Sequence, residues 1–356
     1  MTQSAITRRT LRSTFVSALV LGALIAAPPV VVADEGGVSF WVPGFFGSLA
    51  ATPLQPGFSV ANIYYHTTVN AGADVAFARQ VSRGRLTTNF NANLNLNLDA
   101  DADIGFFIPQ YTFATPFLGG QATVLLIGAY GRNSVSVDGT LTASLGPFGV
   151  TVGGSRTDTV WGFGDLVPQF NVRWNHGVHN WMTYITGDIP VGAYDSSRLA
   201  NLGIGHGAID GGGGYTYFNP MTGHEFSAVL GFTYNFENQS TQYQNGIDMH
   251  LDWGASQFVT KQLQLGFVGY VYKQLSCDSG SGDRVGCFES QVFSVGPQIG
   301  YIIPLSTTHQ GYLNLKGYKE FGAEHRPEGW NVWLTFVISP AAPTSAPPPA
   351  KPRITK

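Results

Sequence analysis

From residue 58 onward, apolar and polar side chains alternate with period two in runs of about ten residues, the pattern of a strand with two unlike faces. Phe226, Ala228, Leu230, Phe232, Tyr234 and Phe236 share one face of such a run, and Glu225, Ser227, Thr233, Asn235 and Glu237 the other. Leu263, Leu265, Phe267 and Val271 alternate in the same way with Gln262, Gln264, Tyr270 and Tyr272. Twelve runs lie between turn signals: 58–69, 104–116, 121–131, 160–174, 179–190, 209–218, 223–237, 246–257, 262–274, 289–302, 310–321 and 329–338. A β-sandwich would carry Lys and Glu on its wet face. Here the polar face is mostly Gln, Asn, Ser, Thr, Tyr and Gly, which suits a crowded, partly wet lumen, with apolar residues facing lipid. The predicted fold is therefore all-β: an antiparallel up-and-down transmembrane barrel. An even strand count puts both barrel termini on the periplasmic side. Short connections at 117–120, 175–178, 219–223, 258–261 and 304–309 alternate with longer ones at 70–103, 132–159, 191–208, 238–245, 275–288 and 322–328. The longer set is expected outside the cell.

Two of the long connections are themselves patterned. Asn89, Asn91, Asn93, Asn95 and Asn97 alternate with Phe90, Leu94, Leu96 and Leu98. This stretch is either a strand running on above the membrane or one of a further pair that would raise the count to fourteen. Asp99, Asp101 and Asp103 follow at spacing two. Three carboxylates could offer oxygens to Ca²⁺, but a solvated acidic loop tip is the plainer expectation, and no metal site is assigned.

Composition agrees with the barrel. Charged residues are 12% of 356, about half the ~25% usual in soluble proteins, while Gly numbers 45 and aromatics reach 13%. A net charge of −3 gives no footprint for nucleic acid. At the start, Arg8, Arg9 and Arg12 precede an apolar run, Phe15 to Ala27, and Val31-Val32-Ala33 forms a small-residue cleavage site. Residues 1–33 are expected to be an export signal. The run is too short for a membrane anchor, which needs ~20 apolar residues. Residues 34–57, with Phe40-Trp41, Phe45-Phe46 and Pro53, are too apolar to dangle in water and too broken for a strand. They are expected either as a partial plug at the barrel base or as packing on the periplasmic rim. The Pro-rich stretch 339–356 is expected to be a flexible tail.

The chemistry-bearing residues are few. Cys277 and Cys287 flank a polar, Gly-rich stretch, and in an exported chain they are expected to form a disulfide clipping an extracellular loop. No nucleotide motif occurs and no cofactor is expected. A barrel hydrolase would need a Ser with a His in reach on one face. His224 and Ser227 have opposite parity on one strand, so no enzyme is expected.

Several segments resemble a known family. They are Trp41-Val-Pro-Gly-Phe-Phe-Gly-Ser-Leu with Pro56-Gly57; Gly162-Phe-Gly-Asp165-Leu; Asp188-Ile-Pro190-Val-Gly-Ala-Tyr-Asp195 with Asn201-Leu-Gly203; Thr222-Gly-His-Glu225-Phe-Ser; and Asn235-Phe-Glu237-Asn238 with Thr241 and Tyr243. They resemble the meta-pathway phenol-degradation family of outer-membrane proteins, whose relatives include a sphingosine-induced outer-membrane protein. The resemblance covers about residues 38–338. It implies a β-barrel in the outer membrane of a Gram-negative bacterium and a transporter role, and it carries over no catalytic or binding residue.

The expected function is a channel for passive uptake of small hydrophobic or aromatic compounds. The alternative is a general porin, or a structural or adhesive barrel. Parity places Tyr64, His66, Asn171, Arg173, Tyr184, Asp248, His250, Tyr270, Tyr272, Tyr312, Tyr318 and Trp333 on the lumen side, with Phe106 and Asp252. Rings there could stack on an aromatic solute or simply fill a narrow barrel. Charges on the expected lumen face are sparse; Arg173, Asp165, Glu225, Glu237, Asp248, Asp252, Lys316 and Glu320 could pair among themselves. Expected partners are outer-membrane lipid, the solute and the outer-membrane assembly machinery.

Overall fold

The computed structural model describes residues 39–72, 91–145, 148–283, 287 and 289–342. The expected export signal and residues 343–356 of the tail lie outside the described residues. Twelve antiparallel strands, each hydrogen-bonded to its sequence neighbours, close into a barrel through β12 on β1. They are β1 (Gly57–Ala71), β2 (Asn91–Thr112), β3 (Gln121–Leu145), β4 (Phe148–His176), β5 (His179–Asp188), β6 (Ala208–Phe218), β7 (His224–Asn235), β8 (Asp248–Phe258), β9 (Leu263–Gln274), β10 (Gln291–Pro304), β11 (His309–Glu324) and β12 (Glu328–Pro340). Closure leaves no unpaired sheet edge within the barrel wall, which is what a strand structure in hydrocarbon requires.

Alternation along each strand sorts residues between wall faces. Phe107, Phe267, Leu230 and Ile185 stand exposed on the outside. Asn171, Gln264, His250 and Asn331 are buried on the inside. Aromatic residues gather on the outer face toward each end: Phe58, Tyr111, Trp181 and Tyr301 toward the short-turn end, and Tyr130, Trp161, Phe163, Tyr234 and Trp330 toward the other. These two belts fit the polar–apolar boundaries of a bilayer. The turns follow local chemistry. Between β4 and β5, where His176 pairs with His179, a two-residue turn is possible because Gly177 takes the positive φ (67°) it demands.

Strand lengths are unequal. β5, β6 and β8 have 10 or 11 residues, enough to cross a membrane. β2, β3 and β4 have 22, 25 and 29. At ~3.3 Å per residue β4 runs about 95 Å, so these three strands continue as a sheet well beyond the wall. Residues 91–103, 132–145 and 148–159 are strand rather than loop, β2 pairing with β3 and β3 with β4, so of the two expectations for this stretch the strand running on beyond the wall holds and the count stays at twelve. The inner side of the extension carries Leu98, Val135, Val137 and Val160, covered by Ala200 and its neighbours in the β5–β6 loop.

That loop is fastened by a bulge. Between Gly128/Leu166 and Tyr130/Phe163 the β3–β4 register slips, leaving Gly164 and Asp165 opposite Ala129. The Asp165 carboxylate accepts the N–H groups of Gly192 (2.6 Å) and Ile204 (2.7 Å), at opposite ends of the loop. Asn133 donates to Asn201 O, and Asn201 Oδ1 accepts the N–H of Asp195. The Ser197 hydroxyl, together with its N–H, holds the Asp195 carboxyl below the usual carboxylate range. Three of the resembling segments, 162–166, 188–195 and 201–203, thus meet at one place.

Cys277 and Cys287 form the expected disulfide. Asp278 beside it accepts from Tyr243, Gly246 and Gln274, joining the β9–β10 loop to the β7–β8 loop.

Candidate functional site

The lumen holds the chain's own front segment. Residues 39–56 run its length, from Ser39, where Arg326 of the β11–β12 connection reaches its hydroxyl, down to the start of β1. This exceeds the expected partial plug at the base: the segment spans the barrel rather than resting on its rim. It is not regular structure, so its backbone groups need partners from the wall. The wall supplies them. Leu49 N–H donates to Glu225 and Ser227, Ala51 N–H to Thr216, and Leu54 N–H to Gln121. Gln121 returns a bond to Leu54 O, and Arg173 Nε donates to Ala50 O. The short amides and hydroxyls that made the polar face look like a crowded lumen are the partners of this segment.

Its middle turn is gripped from two sides. Asp252 on β8 accepts the N–H of Gly44 (2.9 Å) and of Phe46 (3.2 Å). Lys316 on β11 donates to the carbonyls of Gly44 (2.7 Å), Phe45 (3.5 Å) and Phe46 (3.3 Å). Both side chains are buried. Gly44 turns the chain at φ +90°, and a Cβ there would stand 3.1 Å from the Tyr318 ring and 3.2 Å from Tyr270.

Rings pack around this turn. Trp41 stacks on His250 with centroids 3.8 Å apart and planes 10° apart. Phe46 meets Tyr184 edge-on at 5.4 Å, and Phe45 meets Trp333 at 6.2 Å. His250 Nε2 lies 3.0 Å from Asp210 Oδ2 and 3.3 Å from Tyr184 OH. Lys316 Nζ sits 5.2 Å from the Trp333 ring centroid. His250 and Trp333, which meet the rings of the segment, have no exposure, so the lumen is packed around the turn.

Ten of the twelve residues expected on the lumen face lie on the inner side of the wall. Tyr184, His250, Tyr270, Tyr318 and Trp333 surround the turn directly. Asn171 and Arg173 lie lower, bonded to each other beneath Ala50. Tyr312 bonds Gln264, Asp248 bonds Asn235, and Tyr272 lies under the Arg326 guanidinium. Two are corrected. Tyr64 and His66 are on the outer wall, because the inner face of β1 is Ser59, Ala61, Ile63 and Tyr65. Aromatic side chains occur on both faces at Tyr64-Tyr65, so the local pattern does not fix the parity. Outside, the Tyr64 hydroxyl donates to Asp103 Oδ1 at 2.6 Å, and His66 Nδ1 lies 2.8 Å from the same oxygen. Arg132 joins Asp101 to Asp103. Asp101 and Asp103 are therefore members of an outer-wall ion-pair network and not a loop tip. Sequence reasoning placed Asp252 on the lumen side and named Lys316 only among its sparse charges, and it missed that the partner of both is backbone.

The family model described as "Putative MetA-pathway of phenol degradation" matches residues 68–336, beginning within β1 after the lumen segment. An outer membrane channel of the COG4313 group from Pseudomonas putida F1 is similar in fold at 12% identity, with a TM-score of 0.60, covering 84% of this chain and 99% of that one. A FadL homologue from Pseudomonas aeruginosa aligns at 10% identity with a TM-score of 0.37, over 88% of this chain and 97% of that one. No curated protein matches significantly.

Proposed function

This chain belongs to the phenol-degradation meta-pathway family of barrel proteins, and on that premise we propose that it is a passive outer-membrane channel for small hydrophobic or aromatic compounds. The twelve-strand barrel with its apolar outer belt is an outer-membrane wall of a Gram-negative cell. The observation that carries the solute assignment is the ring-lined lumen whose centre is filled by a segment belonging to no strand. Rings bury a flat apolar solute well and offer few charges for a hydrated ion to follow. No energy source enters the reading: a solute moves down its gradient, and the barrel performs no chemical step. For passage, residues 39–56 must leave the centre of the lumen while the wall stays closed.

Channel recordings in planar bilayers test this. The expected result is infrequent small conductance from the full chain that phenol or a similar aromatic solute alters. A large steady conductance indifferent to aromatic solutes would make it a general porin. No conductance, together with no uptake by liposomes, would leave a structural barrel.

A further inference from the structure

On the premise that the barrel is a channel, we infer that Asp252 and Lys316 form the polar end of its solute site, occupied in the closed barrel by the backbone of Gly44–Phe46. The favoured solute is then an aromatic ring bearing both an oxygen acceptor and an O–H donor, as in a hydroxylated aromatic carboxylate.

The turn at 44–46 behaves as a ligand tethered to the wall. It presents two N–H donors to Asp252 and three carbonyl oxygens to Lys316. Within the same few residues it presents rings to His250, Tyr184 and Trp333. A buried carboxylate and a buried ammonium persist only with partners. When the segment leaves, the two groups need the same donors and acceptors from whatever takes its place. A carboxylate answers Lys316, which already lies beside the Trp333 ring at 5.2 Å, so that an anionic group on an aromatic ring reaches charge and ring together. A ring hydroxyl answers Asp252. One further polar atom of the wall near this place, His250 Nδ1, has no hydrogen-bond partner among the described residues. A solute with polar substituents gives it one, and an unsubstituted ring does not. Solute and segment need the same groups and cannot hold them at once, so a bound solute favours the displaced segment by mass action.

The test reads the seated segment directly. Ser48 and Ser256 have hydroxyls 3.5 Å apart, so Ser48→Cys with Ser256→Cys in the full-length protein in detergent forms a disulfide at a rate that reports seating. 4-Hydroxybenzoate, benzoate and phenol are the probes. The expected result is that 4-hydroxybenzoate slows cross-linking at the lowest concentration. Adding Lys316→Met raises its half-effect concentration, and that of benzoate, at least tenfold, with phenol within twofold. Asp252→Asn raises the values for 4-hydroxybenzoate and phenol and spares benzoate. Lys316→Arg keeps the wild-type order, and heat-modifiable gel migration confirms that each variant is folded. Equal potency of the three probes, a uniform shift across them, or no slowing by any would overturn the subsite and leave the pair as a fastener of the segment. Transport is scored separately: solute competition without any conductance or uptake sinks the channel function, whereas uptake without solute competition sinks the subsite alone.

Discussion

Asp252 and Lys316 lie among the rings at the barrel's centre, where a charge with no partner would shift the balance by several kcal/mol. Each is satisfied by backbone, so residues 44–46 and the two wall charges hold one another in place. A change that spoils the turn without touching either charge separates seating from solute contact. Gly44→Val meets both conditions: φ is +90°, and the added Cβ would press on the Tyr318 ring. Its expected effect is a severalfold rise in the fraction of time the barrel conducts, read in single-channel recordings. A fraction unchanged from wild type would mean that the turn is not what closes the lumen. At this scale the sequence was legible wherever one face was plainly apolar, as at Tyr270 and Tyr272 on β9. It misled at Tyr64 and His66, where the outer face carries a polar network at the boundary of the membrane.

Strands of common length would make a simple cylinder; here β2, β3 and β4 outrun the others and need support on their inner side. The β5–β6 loop provides it, held by the re-aimed carboxylate of Asp165. Hydrogen bonds to a charged acceptor contribute about 1.5–3 kcal/mol each. Asp165→Ala is therefore expected to raise amide exchange in residues 191–204 by about tenfold or more, since ~1.4 kcal/mol corresponds to a factor of ten. Mass-spectrometric exchange checks this, with β8 as the reference that should stay protected. The direction of the extension is also testable. A cysteine replacing Thr140 on β3 should react with a membrane-impermeant maleimide in intact cells, and one replacing Asn219 in the β6–β7 turn should not. Reversed labelling would invert the orientation of the barrel. The existence and order of these elements were legible from alternation and turn residues. The extension was visible as a pattern at 89–98 but not as a place, because period two is the same above the membrane as within it.

The barrel as a whole is two separable objects, a closed wall and a segment threaded through it. If the segment controls passage, fixing it should abolish conduction without disturbing the wall. The Ser48→Cys, Ser256→Cys protein is expected to be silent when cross-linked and to recover wild-type conductance after reduction, with heat-modifiable migration unchanged in both states. Full conductance in the cross-linked form would place the pathway away from the segment. The wall itself was determined by the sequence alone, because lipid on one side and a filled lumen on the other impose a local rule on every strand: alternate or lose stability. That rule is written residue by residue, and it was enough for the fold class; turn residues added the order of the strands, the expected export added the disulfide pair, and the closed barrel settled twelve strands over fourteen. Which residues met across the lumen was decided only by the tertiary structure. Gly44 bonds Asp252 across 208 residues and Lys316 across 272, and Asp165 closes a loop through Ile204 39 residues on. Such contacts join a backbone group, which every residue carries, to a side chain far along the chain, and no local period records the pairing.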